Sequence, residues 1–263
     1  MQRTKIEWST MTWNPVTGCL NGCPYCYAKK IAERFGKDLW PKYCGVAERR
    51  EPMYRMTKNG KLAIAPYPFG FKPTLHRYRL DEPQKIKKPQ RIFVVSMGDL
   101  FGPWVPDHWI TEVFDACKKA PQHKYMFLTK FPKKYIDLAD KGLLPKLDNF
   151  WYGQSASDKT VEAFLRPNGG GFSEYHQFVS AEPLVGFVQA IWFELVIIGA
   201  ETGNRKDKIL PSYSNVKTTI EARDYFHSKV FMKDSLIPIV GEEEMIREIP
   251  EELLIKGKKN ETH

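Results

Sequence analysis

The 263-residue sequence has no apolar run long enough to cross a bilayer. Its longest, IFVV and FELVIIGA, fall far short of the roughly 20 residues that a spanning helix needs. The opening MQRTKIEWST is charged and lacks the apolar core of a secretory leader, so a cytoplasmic protein with no membrane partner is expected. Cysteine is scarce, with five in all, and three of the five crowd into eight positions. An odd, clustered set argues against the disulfide framework of a small secreted domain and for reduced thiols serving a metal or redox centre. There is no internal repeat and no long linker, so one compact domain over 1–263 is expected.

Acidic residues are thin in the N-terminal third. Residues 1–90 carry 7 Asp and Glu against 18 Lys and Arg, whereas residues 91–263 carry 24 against 22. The surplus points to a polyanionic partner, with nucleic acid as the expectation. RREPMYRMTKNGK and RYRLDEPQKIKKPQR interleave basic residues with aromatics. Arg49, Arg50, Arg55, Arg77 and Lys87 are therefore candidates for holding a phosphate backbone, and Tyr54 and Tyr78 for stacking on bases. The alternative is a solvated basic surface.

What is present is an alternation of short β-branched or aromatic runs with amphipathic stretches. Strands are predicted at 11–17, 73–80, 91–97, 124–130, 149–156, 175–182, 194–201 and 229–234. Helical patterns fall at 24–35 and in PDHWITEVFDACKKA, FPKKYIDLAD, SDKTVEAFL and SNVKTTIEARDYFHSK. RIFVV is apolar throughout, as suits a parallel strand covered on both faces. The alternation predicts an α/β fold, a TIM-like (β/α) barrel, full or partial, with a doubly wound open sheet as the alternative. Residues 37–72 hold four prolines and three glycines and read as an irregular insertion after the first helix. RPNGGGFSEY reads as a mobile loop, and 241–263 as a surface helix followed by a frayed tail.

In a parallel barrel the functional groups gather where strands end at their C-terminal edge. The first such exit holds WNPVTGCLNGCPYCYAKK, with Cys19, Cys23 and Cys26. The later ones hold His76; Ser96, Met97 and Asp99; Thr129 and Lys130; Gln154 and Ser155; Ser180 and Glu182; Glu201 and Thr202; and Lys233 and Asp234. A [4Fe-4S] cluster normally takes four thiolates, and holding it by three leaves one iron free to bind something else. The spacing Cys19-x3-Cys23-x2-Cys26, with an aromatic before the third cysteine, resembles the signature of the radical S-adenosylmethionine superfamily. The resemblance implies a full or partial (β/α) barrel with this loop after its first strand. It further implies that the free iron chelates the methionine moiety of S-adenosylmethionine, that an electron from the cluster yields a 5′-deoxyadenosyl radical, and that a donor such as flavodoxin or ferredoxin supplies the electron.

A narrower resemblance runs over residues 4–203. TKIEWSTMTWNPVTGC, CPYCYA, VSMGDLF, FLTKFP, SAEPL and IIGAETG are similar to successive motifs of a phage-associated radical SAM-like family encoded beside a three-Cys-motif partner protein. Many members space the first two cysteines more widely; the three-residue gap here favours cluster binding more than it carries over a particular activity. The resemblance assigns cluster ligation to Cys19, Cys23 and Cys26 and adenine contact to Tyr25. From their position at later strand exits, Ser96, Asp99, Lys130, Gln154, Ser180 and Glu182 are the candidates for contact with S-adenosylmethionine. The expected activity is a radical enzyme that modifies or repairs nucleic acid, with a peptide or small metabolite as another possible substrate.

The competing reading is a non-catalytic nucleic-acid-binding protein stabilised by zinc, in which Cys44 joins the triplet as a fourth thiolate. Zinc sites usually pair distant C-x2-C knuckles, which this sequence lacks. A free thiol beside a radical site can donate hydrogen, as in DNA photoproduct-repairing relatives, which makes Cys44 the one catalytic candidate. Cys117 lies at helical spacing from Val113 and Phe114 and reads as core. His76 is a candidate for either substrate contact or packing. Trp8 and Trp13 flank the cysteine loop and would shield it from water.

Overall fold

The computed structural model describes residues 1–36, 45–57, 59–157, 160–165, 173–203 and 205–255. In chain order its first strands are β1 (Gln2–Arg3), β2 (Met11–Trp13), β3 (Val16–Thr17), β4 (Ala47–Arg49), β5 (Tyr54–Met56), β6 (Leu62–Ile64) and β7 (Thr74–His76). There follow β8 (Arg91–Val94), β9 (Lys124–Thr129), β10 (Phe150–Ser155), β11 (Thr160–Glu162), β12 (His176–Ala181), β13 (Gln189–Ile191), β14 (Leu195–Ile198) and β15 (Lys229–Met232). The α-helices are α1 (Tyr27–Phe35), α2 (Asp107–Lys118), α3 (Lys133–Asp140), α4 (Tyr213–Phe226) and α5 (Ile237–Val240).

The molecule is mixed α/β, built on an eight-stranded sheet of order β1-β2-β8-β9-β10-β12-β14-β15. All neighbours from β2 to β15 are parallel, and only β1 runs antiparallel, along the outer edge of β2. Sequential order with parallel pairing brings every crossover back to the same edge, so all the strand exits share one side of the sheet. Buried strands such as RIFV and LVII are apolar on both faces because both are covered. Trp109, Ile110, Val113, Phe114 and Cys117 form the buried stripe of α2, and the predicted core role of Cys117 holds.

The opposite face collects Trp8, Phe93, Met126, Trp151, Phe178, Leu195, Ile197, Phe231 and Leu253 into one cluster. Trp8 touches both Phe93 and Phe178, with ring centroids at 4.7 and 6.1 Å. The two Phe rings therefore lie within about 11 Å of each other, whereas three strand spacings of a flat sheet set roughly 14 Å. The sheet is concave on this face, and Trp8 plugs the hollow. Arg91 donates to the carbonyls of Trp8 and Leu253, tying both ends of the described chain to the base of β8.

Four expectations are corrected. No closed barrel forms among the described residues: β1 covers one edge of the sheet, and residues 246–248 lie along the other, with Met232 N–H donating to Ile246 O and Glu248 N–H to Val230 O. That edge cover takes the place of the predicted C-terminal surface helix, blunting a strand edge that would otherwise be open. The predicted strand at 73–80 does not enter the main sheet. It stops at His76, joins the small sheet β3-β7-β4, and turns at Arg77–Arg79, where Arg77 is clamped by Glu112. SDKTVEAFL forms β11 paired with β13 instead of a helix. The insertion is partly regular, holding β4 and the β5–β6 hairpin. Residues 37–44, 166–172 and 256–263, and with them Cys44 and the glycine run, lie outside the described residues. No helix among the described residues is long and apolar enough to cross a membrane.

Candidate functional site

The cysteine loop is held over the β8 exit by backbone contact. Gly18 N–H donates to Met97 O, and Gly18 forms a bridge with Gly98. Asn14, which follows β2, accepts from Ser96 Oγ and Met97 N–H at 3.2 and 2.9 Å. From the other side Cys19 N–H donates to Phe71 O at 3.1 Å. The β8 exit carries strain of its own, for the β-branched Val95 sits at φ 60°, held by its N–H to Trp13 O.

Each of the three sulfurs accepts an N–H. Asn21 N–H reaches Cys19 Sγ at 3.4 Å, Asn21 Nδ2 reaches Cys23 Sγ at 3.0 Å, and Lys29 N–H reaches Cys26 Sγ at 3.4 Å. In the last case the cysteine is also the N-cap of α1. Burial pushes the Cys19 thiol up to about 12, and the Asp99 carboxylate and the other two cysteines add to the rise. Among the described residues no three His, Cys, Asp or Glu side chains stand close enough to share one metal ion. A cubane cluster instead takes each thiolate on a different iron, and three separate sulfurs with N–H donors are the kind of set such a cluster uses.

Around this loop the structure gathers most of the predicted exits. Register puts Thr129 level with Gln154 and Ser155 level with Ser180, with Ala181, Ile198 and Met232 forming the next row. Asp99 is buried and fully engaged: Oδ1 accepts from Thr129 Oγ1 and Phe101 N–H, and Oδ2 from Lys130 N–H. It locks the β8 and β9 exits together, and burial raises its pKa. Lys130 Nζ sits over the Tyr25 ring, 5.7 Å from its centroid. Tyr27 keeps its ring half exposed while its hydroxyl donates to Ser96 O at 2.6 Å, where burial raises its pKa. Ser180 Oγ donates to Glu182 Oε2, and Glu182 Oε1 pairs with Lys233 Nζ at 2.8 Å. Gly199 leaves room for this pair, since a Cβ there would lie 2.9 Å from Glu182 Oε1.

Gln154 is the exception in this group. Alternation along β10 sends it to the helix-covered face with Phe150 and Tyr152, and Ser155 to the concave face with Trp151. The predicted substrate residues also stand elsewhere. His76 is fully buried between Thr17 Oγ1 at 2.8 Å and Tyr78 Oη at 3.3 Å, and burial holds its pKa well below the usual value, so it is a neutral packing histidine. Arg77 is bidentate to Glu112 and also bonded to Glu48. Tyr78 stacks under Arg79. Lys87 precedes β8 and so lies at the opposite edge of the sheet. β3 runs towards the cysteine loop, β7 runs against it and β4 runs with β7, so Arg49 and Arg50 point away from the site. Arg55 and Tyr54 are on the β5–β6 hairpin.

Cations do stand at the site edge, but they are others. Lys30 and Arg34 are exposed on α1, and Lys206 and Lys208 on the loop after β14, where Glu201 forks onto Arg205. Lys30 is near enough to help lower the Glu201 pKa, to about 2, an effect due chiefly to Arg205. Sequence reasoning passed over Asn14, Glu7 and Tyr27; Asn-Pro after a strand was the available signal for the first, and only the fold reveals the others.

No curated protein and no solved structure matches the chain. Residues 3–231 match the model of the family described as protein of unknown function, DUF5131, and the chain belongs to that family.

Proposed function

We propose that this chain is a radical S-adenosylmethionine enzyme in which Cys19, Cys23 and Cys26 hold a [4Fe-4S] cluster and the substrate is nucleic acid. One observation carries the reading: three sulfurs, each accepting an N–H, sit on the loop after the first parallel strand and face the polar exits of the strands that follow. The concave face of the sheet supports the finer fold reading, a partial (β/α) barrel of the radical SAM type. When bound, such a cluster supplies the electron that cleaves S-adenosylmethionine reductively to a 5′-deoxyadenosyl radical.

The chain's own residues do the positioning. Tyr25 offers a ring to the adenine, and the Lys130 ammonium over its other side fixes its tilt. Ser180, Glu182 and Lys233 present an acceptor and a donor for the polar groups of the methionine and ribose. Asp99 and Asn14 contact no ligand and instead hold the exits in place. Trp8 and the aromatic cluster keep water out of the concave side. Lys30, Arg34, Lys206 and Lys208 give the site edge an affinity for a phosphate backbone.

Anaerobic reconstitution of the full chain tests the reading. Iron and sulfide are expected in near-equal amounts, lost in Cys23→Ala and kept in Cys117→Ala. Dithionite with S-adenosylmethionine is expected to release 5′-deoxyadenosine, and nucleosides from DNA or RNA of expressing cells to carry a new modification. A colourless protein holding stoichiometric zinc would overturn the cluster and favour the binding-protein reading.

A further inference from the structure

The β5–β6 hairpin carries an apolar face that the main site does not use. Its register pairs Tyr54 with Ile64 and Met56 with Leu62, so the four side chains stand on one face of the ribbon. They are 54, 48, 63 and 66 % exposed, respectively. The intervening Arg55 and Ala63 are the more buried positions, and the two strands pair only with each other. Four large apolar side chains together in solvent mark a contact surface.

Charge selects the partner. From Arg49 to Lys61 the sequence carries five basic residues and one acid, Glu51. A second copy would bring like charge against like. A nucleic acid would find three aliphatic side chains and only one π-face to stack on. An acidic protein with an apolar patch complements both features.

Position narrows it further. Beyond Ile64 the chain packs Tyr67 against Gly36 at the end of α1, and then Phe71 O receives the N–H of Cys19. The stem of the hairpin is thus the wall of the cysteine loop. A patch of this small size suits a brief redox encounter better than a permanent complex. We infer that the hairpin is the docking arm for an acidic one-electron carrier of the flavodoxin type that serves the cysteine loop, an inference resting on the cluster reading above. One electron leaves the flavin hydroquinone anion, which becomes the neutral semiquinone with no proton moved, and enters the centre held by Cys19, Cys23 and Cys26.

Two measurements with reduced and oxidised flavodoxin test this. In calorimetric titration against the full chain without cluster, Met56→Asp/Leu62→Asp and, separately, Arg50→Glu/Lys61→Glu are expected to weaken binding at least tenfold. Wild-type binding is expected to weaken steeply with salt. In stopped flow on reconstituted protein, flavodoxin hydroquinone is expected to reduce both variants at least tenfold more slowly than wild type, while dithionite reduces all three alike. Equal flavodoxin binding and equal rates would overturn the docking arm and leave the cluster untouched. Failure of wild type to take up a cluster would instead overturn the reading of the cysteine loop. Loss of single-stranded DNA binding in the variants, with flavodoxin unaffected, would reassign the hairpin to nucleic acid.

Discussion

Gly18 and Gly98 meet backbone to backbone: a Cβ on Gly98 would lie 2.7 Å from Gly18 O, and one on Gly18, at φ +87°, 2.2 Å from Lys72 O. This contact seats the cysteine loop on the β8 exit, and no side chain larger than hydrogen fits at either position. Gly98→Ala is expected to cost about 1–3 kcal/mol through overpacking. Gly18→Ala adds left-handed strain of about 1–2 kcal/mol. Thermal melts should show both losses, and iron uptake should fall with them, although neither residue touches a sulfur. Full iron content in Gly98→Ala would mean that the loop does not depend on this seat.

The ion pair of Glu182 with Lys233 sits at three strand exits at once, with Glu7 nearby. Burial acts against the Lys233 charge, but Glu182 and then Glu7 outweigh it and raise the pKa. Glu182→Gln leaves the ammonium with a weaker partner. The half-exposed rim reduces the cost from the 3–5 kcal/mol of a deeply buried broken pair to about 1–2 kcal/mol. Iron content should stay at the wild-type level while release of 5′-deoxyadenosine slows tenfold or more. Unchanged turnover in both Glu182→Gln and Lys233→Met would remove the pair from the site.

How much of this could be read beforehand depended on how local the determinants are. The apolar runs of β8 and β14 and the cysteine spacing are local signals, and they placed the parallel sheet and the loop. β7 was misjudged because the turn after His76 is fixed by Arg77 and Glu112, which are 35 positions apart. Val161, Phe164 and Leu165 are spaced as on a helix, yet pairing with Gln189–Ile191 overrides that pattern. Charge counting found the basic surplus but could not tell which edge of the sheet Lys87 occupies, because that follows from strand direction alone.

A pH effect should arise at the far edge of the sheet. The His176 ring stacks on Trp151 at 4.6 Å, and its Nδ1 lies 2.8 Å from Glu194 Oε2. That carboxylate raises the pKa of His176, with Glu252 and Asp148 assisting and burial opposing. The folded state therefore holds the proton more tightly than the unfolded chain. The stabilisation is complete below the unfolded value of about 6.5 and fades as pH rises through the higher folded value. Melting temperature should fall across that window in wild type and stay flatter in His176→Gln. Iron content should be the same in both, since His176 opens β12 at the edge opposite the cysteines.

Nucleic-acid binding, if it serves the proposed chemistry, must run over the edge where the cysteines stand. Lys30 and Arg34 on α1 and Lys206 and Lys208 after β14 are exposed there, whereas Arg49 and Arg50 point away and Lys87 is at the other edge. Each phosphate contact to a single strand contributes about 0.7 to the slope of log affinity against log salt. Lys30→Ala/Arg34→Ala/Lys206→Ala/Lys208→Ala should therefore flatten the slope by up to about 3 and weaken binding at low salt. Arg49→Ala/Arg50→Ala and Lys87→Ala should stay within about twofold of wild type. Single strands should bind more tightly than duplex, because a paired base presents neither its edge nor its sugar hydrogens to a site on this rim. The titration uses DNA and RNA in both forms. The opposite ranking of the two sets of variants would move the nucleic acid to the flank of α2 and away from the cysteines, and salt-insensitive binding would leave a peptide or small metabolite as the better substrate.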